Sequence, residues 1–181
     1  MRNRIKTALA GGAAALALSA PAHANITGSV DATITLTAGC IINGQNLDDG
    51  NATADFGTLD FGTHNTLFGQ ADSEVLSGGG AIEIQCSPGV APLLSFNAGE
   101  NDGEGAGEGA RAMAHGSVAG QYVTYNLYRD AARTDVIAIG DGVALTDTGA
   151  QQTIQVYGRA FGENGLITGV YGDTITVVLE L

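Results

Sequence analysis

The chain has 181 residues, of which 44% are hydrophobic, and its 19 acidic side chains against seven basic ones give a formal net charge of −12 at pH 7. Such an excess of acid repels nucleic acid and anionic lipid, so charge excludes both as partners. The apolar content and the long alternating runs belong to a folded chain rather than to a disordered acidic one.

Residues 1–24 read as an export signal. Arg2, Arg4 and Lys6 form a basic start, an Ala/Leu-rich run follows from Ala8 to Leu18, and Ala22-His23-Ala24 supplies the small residues that signal peptidase reads. The run is about 11 residues, too short for the roughly 20 that cross a bilayer. A mature chain beginning at Asn25 has 157 residues, enough for one domain, and keeps four cations, Arg111, Arg129, Arg133 and Arg159, against all 19 acids.

From Asn25 the sequence alternates. Ile26, Gly28, Val30, Ala32, Ile34, Leu36 and Ala38 fall on one face, and Asn25, Thr27, Ser29, Asp31, Thr33, Thr35 and Thr37 on the other. This predicts a long strand with one buried side, consistent with its β-branched content. Further strands are predicted near 54–61, 80–86, 91–97, 121–128, 134–139 and 151–161, separated by Gly-, Asn- and Asp-rich turns. The chain ends in another alternating run, with Ile175, Val177, Leu179 and Leu181 on one face. No helical spacing recurs outside the signal. The fold class is therefore all-β, a β-sandwich in a single domain. Cys40 and Cys86, an even count in an exported chain, point to a disulfide. Reactive thiols or metal ligands are the competing account, and no CxxC spacing supports it.

Enzyme chemistry is missing. Beyond the signal the histidines are His64 and His115, both in loop-like contexts, and no GxSxG, HExxH or SxxK motif occurs. No catalytic residue, cofactor or metal ligand is assigned. The acidic loop 97–109 carries Glu100, Asp102, Glu104 and Glu108, but it fails the EF-hand spacing: with Gly103 sixth, Ala98 and Gly109 occupy the first and last ligand positions. Its glycines lack the lysine or following helix that holds a phosphate, and the acids would repel the anion. A solvated turn is the simpler reading. The sequons at Asn25 and Asn51 are short enough to arise by chance and receive no role.

Tyr125-Asn-Leu-Tyr-Arg-Asp-Ala-Ala-Arg133 followed by Gly140-Asp-Gly142 resembles the signature of the spore coat protein U domain family, whose domain also builds the pilins of archaic, Csu-type chaperone–usher fibres. Gly39-Cys40, Phe56-Gly-Thr-Leu-Asp-Phe-Gly62, Ile82-Glu-Ile-Gln-Cys86, Arg111-Ala-Met113, Tyr157-Gly-Arg159 and Gly169-Val-Tyr-Gly-Asp-Thr-Ile-Thr-Val177 fall in the family's order. Ile139 stands where many relatives carry Trp, and Ala160-Phe161 where many carry Pro; both departures concern packing.

The resemblance implies an immunoglobulin-like β-sandwich lacking its last strand. It divides the chain into a signal peptide at 1–24, an N-terminal donor-strand segment at 25–39 and a pilin domain at 40–181. It also implies a periplasmic chaperone, an outer-membrane usher, and a head-to-tail polymer of this chain or related pilins, exported through the periplasm to a cell-surface pilus. In that scheme one subunit's N-terminal segment adds to the next subunit's sheet. Residues 26–37 meet the physical needs of such a donor, with Ile26, Val30, Ile34 and Leu36 filling pockets and Gly28 and Ala32 lying where the groove is shallow. The acceptor groove is then expected beside Ile175, Val177, Leu179 and Leu181. An ordinary first strand pairing inside its own domain fits the same pattern. A structural coat or matrix protein of a spore or cell surface remains an alternative, as does a secreted calcium- or carbohydrate-binding module using the acidic loop.

Overall fold

In the computed structural model, the described residues are 26–48, 50, 54–78, 80–105 and 107–181. Two units are distinguished, Met1–Thr35 and Leu36–Leu181. In the first, residues 26–35 have no regular secondary structure and exposed side chains. The predicted signal peptide and Asn25 lie outside the described residues.

The second unit is all-β. Its strands are β1 (Gly39–Ile42), β2 (Gln45–Asp48), β3 (Thr58–Leu59), β4 (Gln70–Leu76), β5 (Ile82–Cys86), β6 (Leu93–Phe96) and β7 (Arg111–His115). They continue with β8 (Tyr122–Tyr128), β9 (Val136–Ile137), β10 (Gly142–Ala144), β11 (Gln152–Ile154), β12 (Tyr157–Phe161), β13 (Tyr171–Gly172) and β14 (Val177–Glu180). They form an immunoglobulin-like sandwich from three antiparallel sheets, ordered β11-β5-β1-β2, β10-β6-β14 and β13-β7-β8-β12-β4-β3, with β9 also paired to β8.

Local chemistry explains these elements. β5 alternates strictly, with Ile82, Ile84 and Cys86 buried and Glu83 and Gln85 exposed. The β1–β2 hairpin turns on Asn43 and Gly44, at φ 49° and 81°, the paired left-handed residues of a type I′ turn. Cys40 lies directly opposite Cys86 in the β1–β5 ladder, and the two form a disulfide. The single strand predicted at 151–161 is two strands. β11 pairs with β5, β12 pairs with β4 and β8, and the chain crosses between sheets at Gln155 and the fully buried Val156.

The Tyr125–Arg133 signature is a strand end locked to a turn. The Asp130 carboxylate accepts the backbone N–H groups of Thr134 and Asp135 and the Thr134 hydroxyl. These bonds, that from Asp135 foremost, hold its carboxyl below the usual range. Arg129 donates to Asp135 and to the carbonyls of Val136 and Gly142. Arg133, in a left-handed conformation, donates to the carbonyls of Gly158 and Ser73 and lies over the Tyr157 ring. The turn is thereby tied to β12 and β4.

The core lies between the sheets, built on Ile42, Ile82, Ile84, Leu94, Phe96, Tyr125, Leu127, Ile137 and Val156. One fully buried cation braces it. Arg111, at the start of β7 and only 1% exposed, donates from Nε to Asn97 O (2.8 Å) and from Nη1 to Ile137 O (3.0 Å). Its Nη2 reaches Phe96 O and Ala138 O. The guanidinium thus links β7 in the seven-stranded sheet to the end of β6 in the three-stranded one. Burial pushes its pKa down from the ordinary value, while Tyr125 and Asp173 pull it back up.

Candidate functional site

The last strand, β14, ends its sheet. One edge pairs with β6, with Val177 opposite Phe96 and Leu179 opposite Leu94, and no strand pairs with its other edge among the described residues. Its alternation decides which backbone groups are free. The Asn97 N–H donates to Thr176 O, the Thr176 N–H donates to the Asn97 side chain, and Ser95 Oγ reaches Val178 O. Thr176 and Val178 therefore turn towards β6, and the antiparallel pattern turns the N–H and C=O groups of Val177 and Leu179 to the open edge.

Those same residues face the core. Ile175, Val177 and Leu179 are half-buried and pack against it, while Leu181 is 43% exposed. Beside them runs an apolar groove made of two cavities that share Phe56 and Val177. One, of about 320 Å³, is bounded by Phe56, Leu59, Phe61, Val75, Met113 and Ile175, with the buried Ile82, Phe96, Tyr125 and Leu127 as its floor. The other, of about 490 Å³, lies between Val177–Leu181 and Cys40, Ile42, Leu47 and Ala54. Core residues thus line a surface that the folded unit leaves open.

A polar network closes one end of the first cavity. The Tyr125 hydroxyl donates to Asp173 Oδ2 (2.6 Å), and the Glu100 N–H and Asn101 Nδ2 donate to Oδ1. Burial first, and then this bond to a carboxylate, push the Tyr125 phenol well above its ordinary pKa. The Asp173 charge is thereby satisfied beside an otherwise apolar surface.

The four predicted acceptor residues are brought together along the groove, although only Val177 and Leu179 lie inside the strand itself; Ile175 precedes it and Leu181 follows. The predicted long first strand is not formed. Residues 26–38 carry no strand, β1 begins at Gly39, and Ile26, Val30, Ile34 and Leu36 are 98%, 95%, 82% and 82% exposed. Gly28 and Ala32 lie in the same extended-pattern segment and are also exposed. An apolar face without a partner strand has neither ladder bonds nor a surface to bury against, so it acquires no strand structure.

The acidic loop gathers no group of three metal-ligating side chains among the described residues. The Glu100 backbone N–H and the Asn101 side-chain amide donate to Asp173 instead. His64 is exposed, hydrogen-bonds the Phe61 carbonyl and lies beside the Phe68 ring at 5.5 Å, whereas His115 is half-buried and hydrogen-bonded at both ring nitrogens. The sequence reading did not name Phe56, Leu59, Phe61, Val75 and Met113 as groove residues. The available signal was the Phe56–Gly62 segment, whose three large apolar residues are too many for a solvated turn.

The Spore Coat Protein U domain family model matches residues 26–178. Among solved structures, the chain is similar to the CsuC–CsuE chaperone–tip adhesion subunit pre-assembly complex from the archaic chaperone–usher Csu pili of Acinetobacter baumannii. The identity is 19% and the TM-score 0.47, with 82% of this chain covered and 41% of that one. The chain thus spans less than half the length of that structural relative. No curated protein matches it.

Proposed function

The chain belongs to the Spore Coat Protein U domain family, and from that premise we propose that it is a structural subunit of a surface pilus assembled by donor-strand exchange along a chaperone–usher pathway, in the service of adhesion or biofilm formation. The observation that carries this reading is the open edge of β14 beside a groove floored by core residues. Strand addition supplies what that surface lacks: main-chain partners for Val177 and Leu179, and alternate apolar side chains for the cavities.

The proposed occupant is residues 26–36 of a second copy or of a related pilin. Its Ile26, Val30, Ile34 and Leu36 recur on one face and are exposed in the free chain. A periplasmic chaperone covers the groove before the usher hands the subunit to the fibre. Residues 40–181 are the accepting domain, and the disulfide fixes β1 beside β5 along one wall.

The test is to express the chain with and without residues 25–37 alongside its cognate chaperone. The full chain is expected to give heat-resistant ladders, and the truncated chain to bind chaperone without polymerising. Ladders from the truncated chain would contradict the proposal.

A further inference from the structure

We propose that the exposed apolar tip carrying Val118, Ile167 and Val170 is a second contact between copies of this chain, on which the domain of the donating subunit rests once its strand is in the groove. This rests on the strand-accepting reading above and adds where the donor's domain must land.

The tip is two loops held side by side. The His115 Nδ1 accepts the N–H groups of Ser117 and Val118 in the turn after β7, and its Nε2 lies 3.2 Å from the Thr168 carbonyl in the loop before β13. The Gly116 N–H donates to Val170 O, and the Tyr171 hydroxyl bonds both backbone groups of Ile167. A side chain at Gly169 would overlap the imidazole, so the loops pack closely. Their apolar side chains nevertheless point to solvent: Val170 is 81% exposed, and Val118 and Ile167 are exposed with it. Tyr171, next in the chain, lines the first cavity, so the tip adjoins that end of the groove.

The two ends of the groove are distinct. Ile82, at the start of β5, and Tyr171, Gly172 and Asp173 line the first cavity; Cys40, opposite Cys86 at the far end of β5, lines the second with Leu181. Gly39, through which the donor segment joins its domain, therefore belongs to the Leu181 end, and the tip to the other. Every strand pairing among the described residues is antiparallel. A donor that continues this pattern on β14 runs from Leu181 towards Asp173 and leaves the groove beside Tyr171 and Val170.

The tether then decides where the donor's domain lies. Leu36 to Gly39 is three residue steps, at most about 10 Å. Gly39 itself is bonded to Ser87 and paired with Asp48 in a strand pinned by the disulfide. So short a link sets the donor's domain against the acceptor at the exit, on the tip. A parallel donor would leave at the Leu181 end and bring two like ends together, each with exposed Asp48 and Glu180, which repel. The antiparallel contact joins unlike ends and repeats along a fibre.

The experiment compares polymers with a free strand. Ladders of the full chain, wild type and Val170→Asp, are held at one raised temperature in excess unlabelled peptide of residues 26–37, and their breakdown is timed. Val170→Asp ladders should break about tenfold faster, the loss expected from one buried valine. A labelled 26–37 peptide carries no domain, so it should leave both chains at rates within about twofold, which also shows that the variant is folded. Inserting Gly-Ser-Gly-Ser after Ala38 lengthens the tether by up to about 13 Å and should shrink the difference between the two ladders. Equal ladder lifetimes, peptide release accelerated as much as ladder breakdown, or a difference undiminished by the insertion would overturn the proposal. A peptide that binds neither chain while ladder lifetime still depends on Val170 would sink the strand-accepting reading and leave the tip contact standing.

Discussion

Replacing Ile34 by Ala separates donor-strand binding from folding, because the side chain is 82% exposed in the free chain and lies outside the Leu36–Leu181 unit. Three carbons are removed. At about 0.8 kcal/mol for each carbon buried, the loss on docking is roughly 2.4 kcal/mol, an affinity about 60-fold weaker. Val30→Ala removes two carbons and should cost about 15-fold by the same count. Thr35→Ala, on the opposite face, should change affinity by less than about twofold. Unlabelled 26–37 peptides carrying each change, competed against the labelled wild-type peptide on the full chain, give the ratios directly. Made in the full chain, each change should leave the unfolding midpoint where it is. If Ile34→Ala competes as well as wild type, or Thr35→Ala is as weak as Ile34→Ala, the apolar face is not what enters the groove.

Arg111→Met should lower stability by about 2–4 kcal/mol, because Asn97 O and Ile137 O lose their guanidinium donors, while Phe96 O and Ala138 O keep backbone donors from Gly140 and Asp141. Urea unfolding measures it, and an unchanged midpoint would mean that relief of the buried charge offsets the lost bonds. Replacing Cys40 and Cys86 together by Ser opens a link spanning 46 residues, worth up to about 4 kcal/mol in the chain-entropy model, and should lower the melting temperature without abolishing the β spectrum by circular dichroism. The Asp72 carboxyl is held below its ordinary range, chiefly by the Arg159 hydrogen bond, with Arg133 adding to it and burial opposing. A depressed carboxylate contributes stability that is present above the ordinary range and lost as pH falls through the folded value. Acid titration should therefore show a loss that Asp72→Asn lacks. It should be smaller than about 1 kcal/mol, since the side chain is 43% exposed.

The sequence was most legible where one face of a strand is buried and the other wet. Ile82, Ile84 and Cys86 mark β5, and the apolar positions of Tyr122–Tyr128 mark β8, both near their observed bounds. β4 escaped because Gln70–Leu76 buries only Ala71 fully and carries Asp72 and Glu74 outward, so its alternation is polar against small rather than polar against large. β7 escaped because its largest buried side chain is a charged one, Arg111, held by carbonyls that no local pattern announces. The groove was half legible. Alternation named Ile175, Val177 and Leu179, but the opposite wall comes from Phe56, Leu59 and Phe61, which belong to a segment with only a two-residue strand. Alternation from Ile26 to Leu36 led to an expected strand with one buried face, whereas the segment is exposed and carries no strand. The pattern could not say against what the face would pack, since a strand's pattern encodes its need for a partner and not the partner's chain.

That distinction bears on why the groove and the segment occur together. Natural sheets guard an open edge with lysines, prolines or bulges, and β14 has none of these; its sole charge is Glu180. Left bare, an edge of this kind with core residues beneath it invites uncontrolled pairing. A segment whose same-face positions recur about every 6.7 Å, with large apolar side chains at Ile26, Val30, Ile34 and Leu36, is commensurate with the spacing of Ile175, Val177, Leu179 and Leu181, because both follow the rise of an extended chain. Burying four such side chains could contribute roughly 6–12 kcal/mol before ordering costs, enough for slow dissociation. On the proposed assignment the donor and acceptor are different surfaces of one molecule, so a contact between copies would be head-to-tail and need not close. If that proposal holds, the unguarded edge is a hazard only in transit, the interval in which a chaperone would be needed.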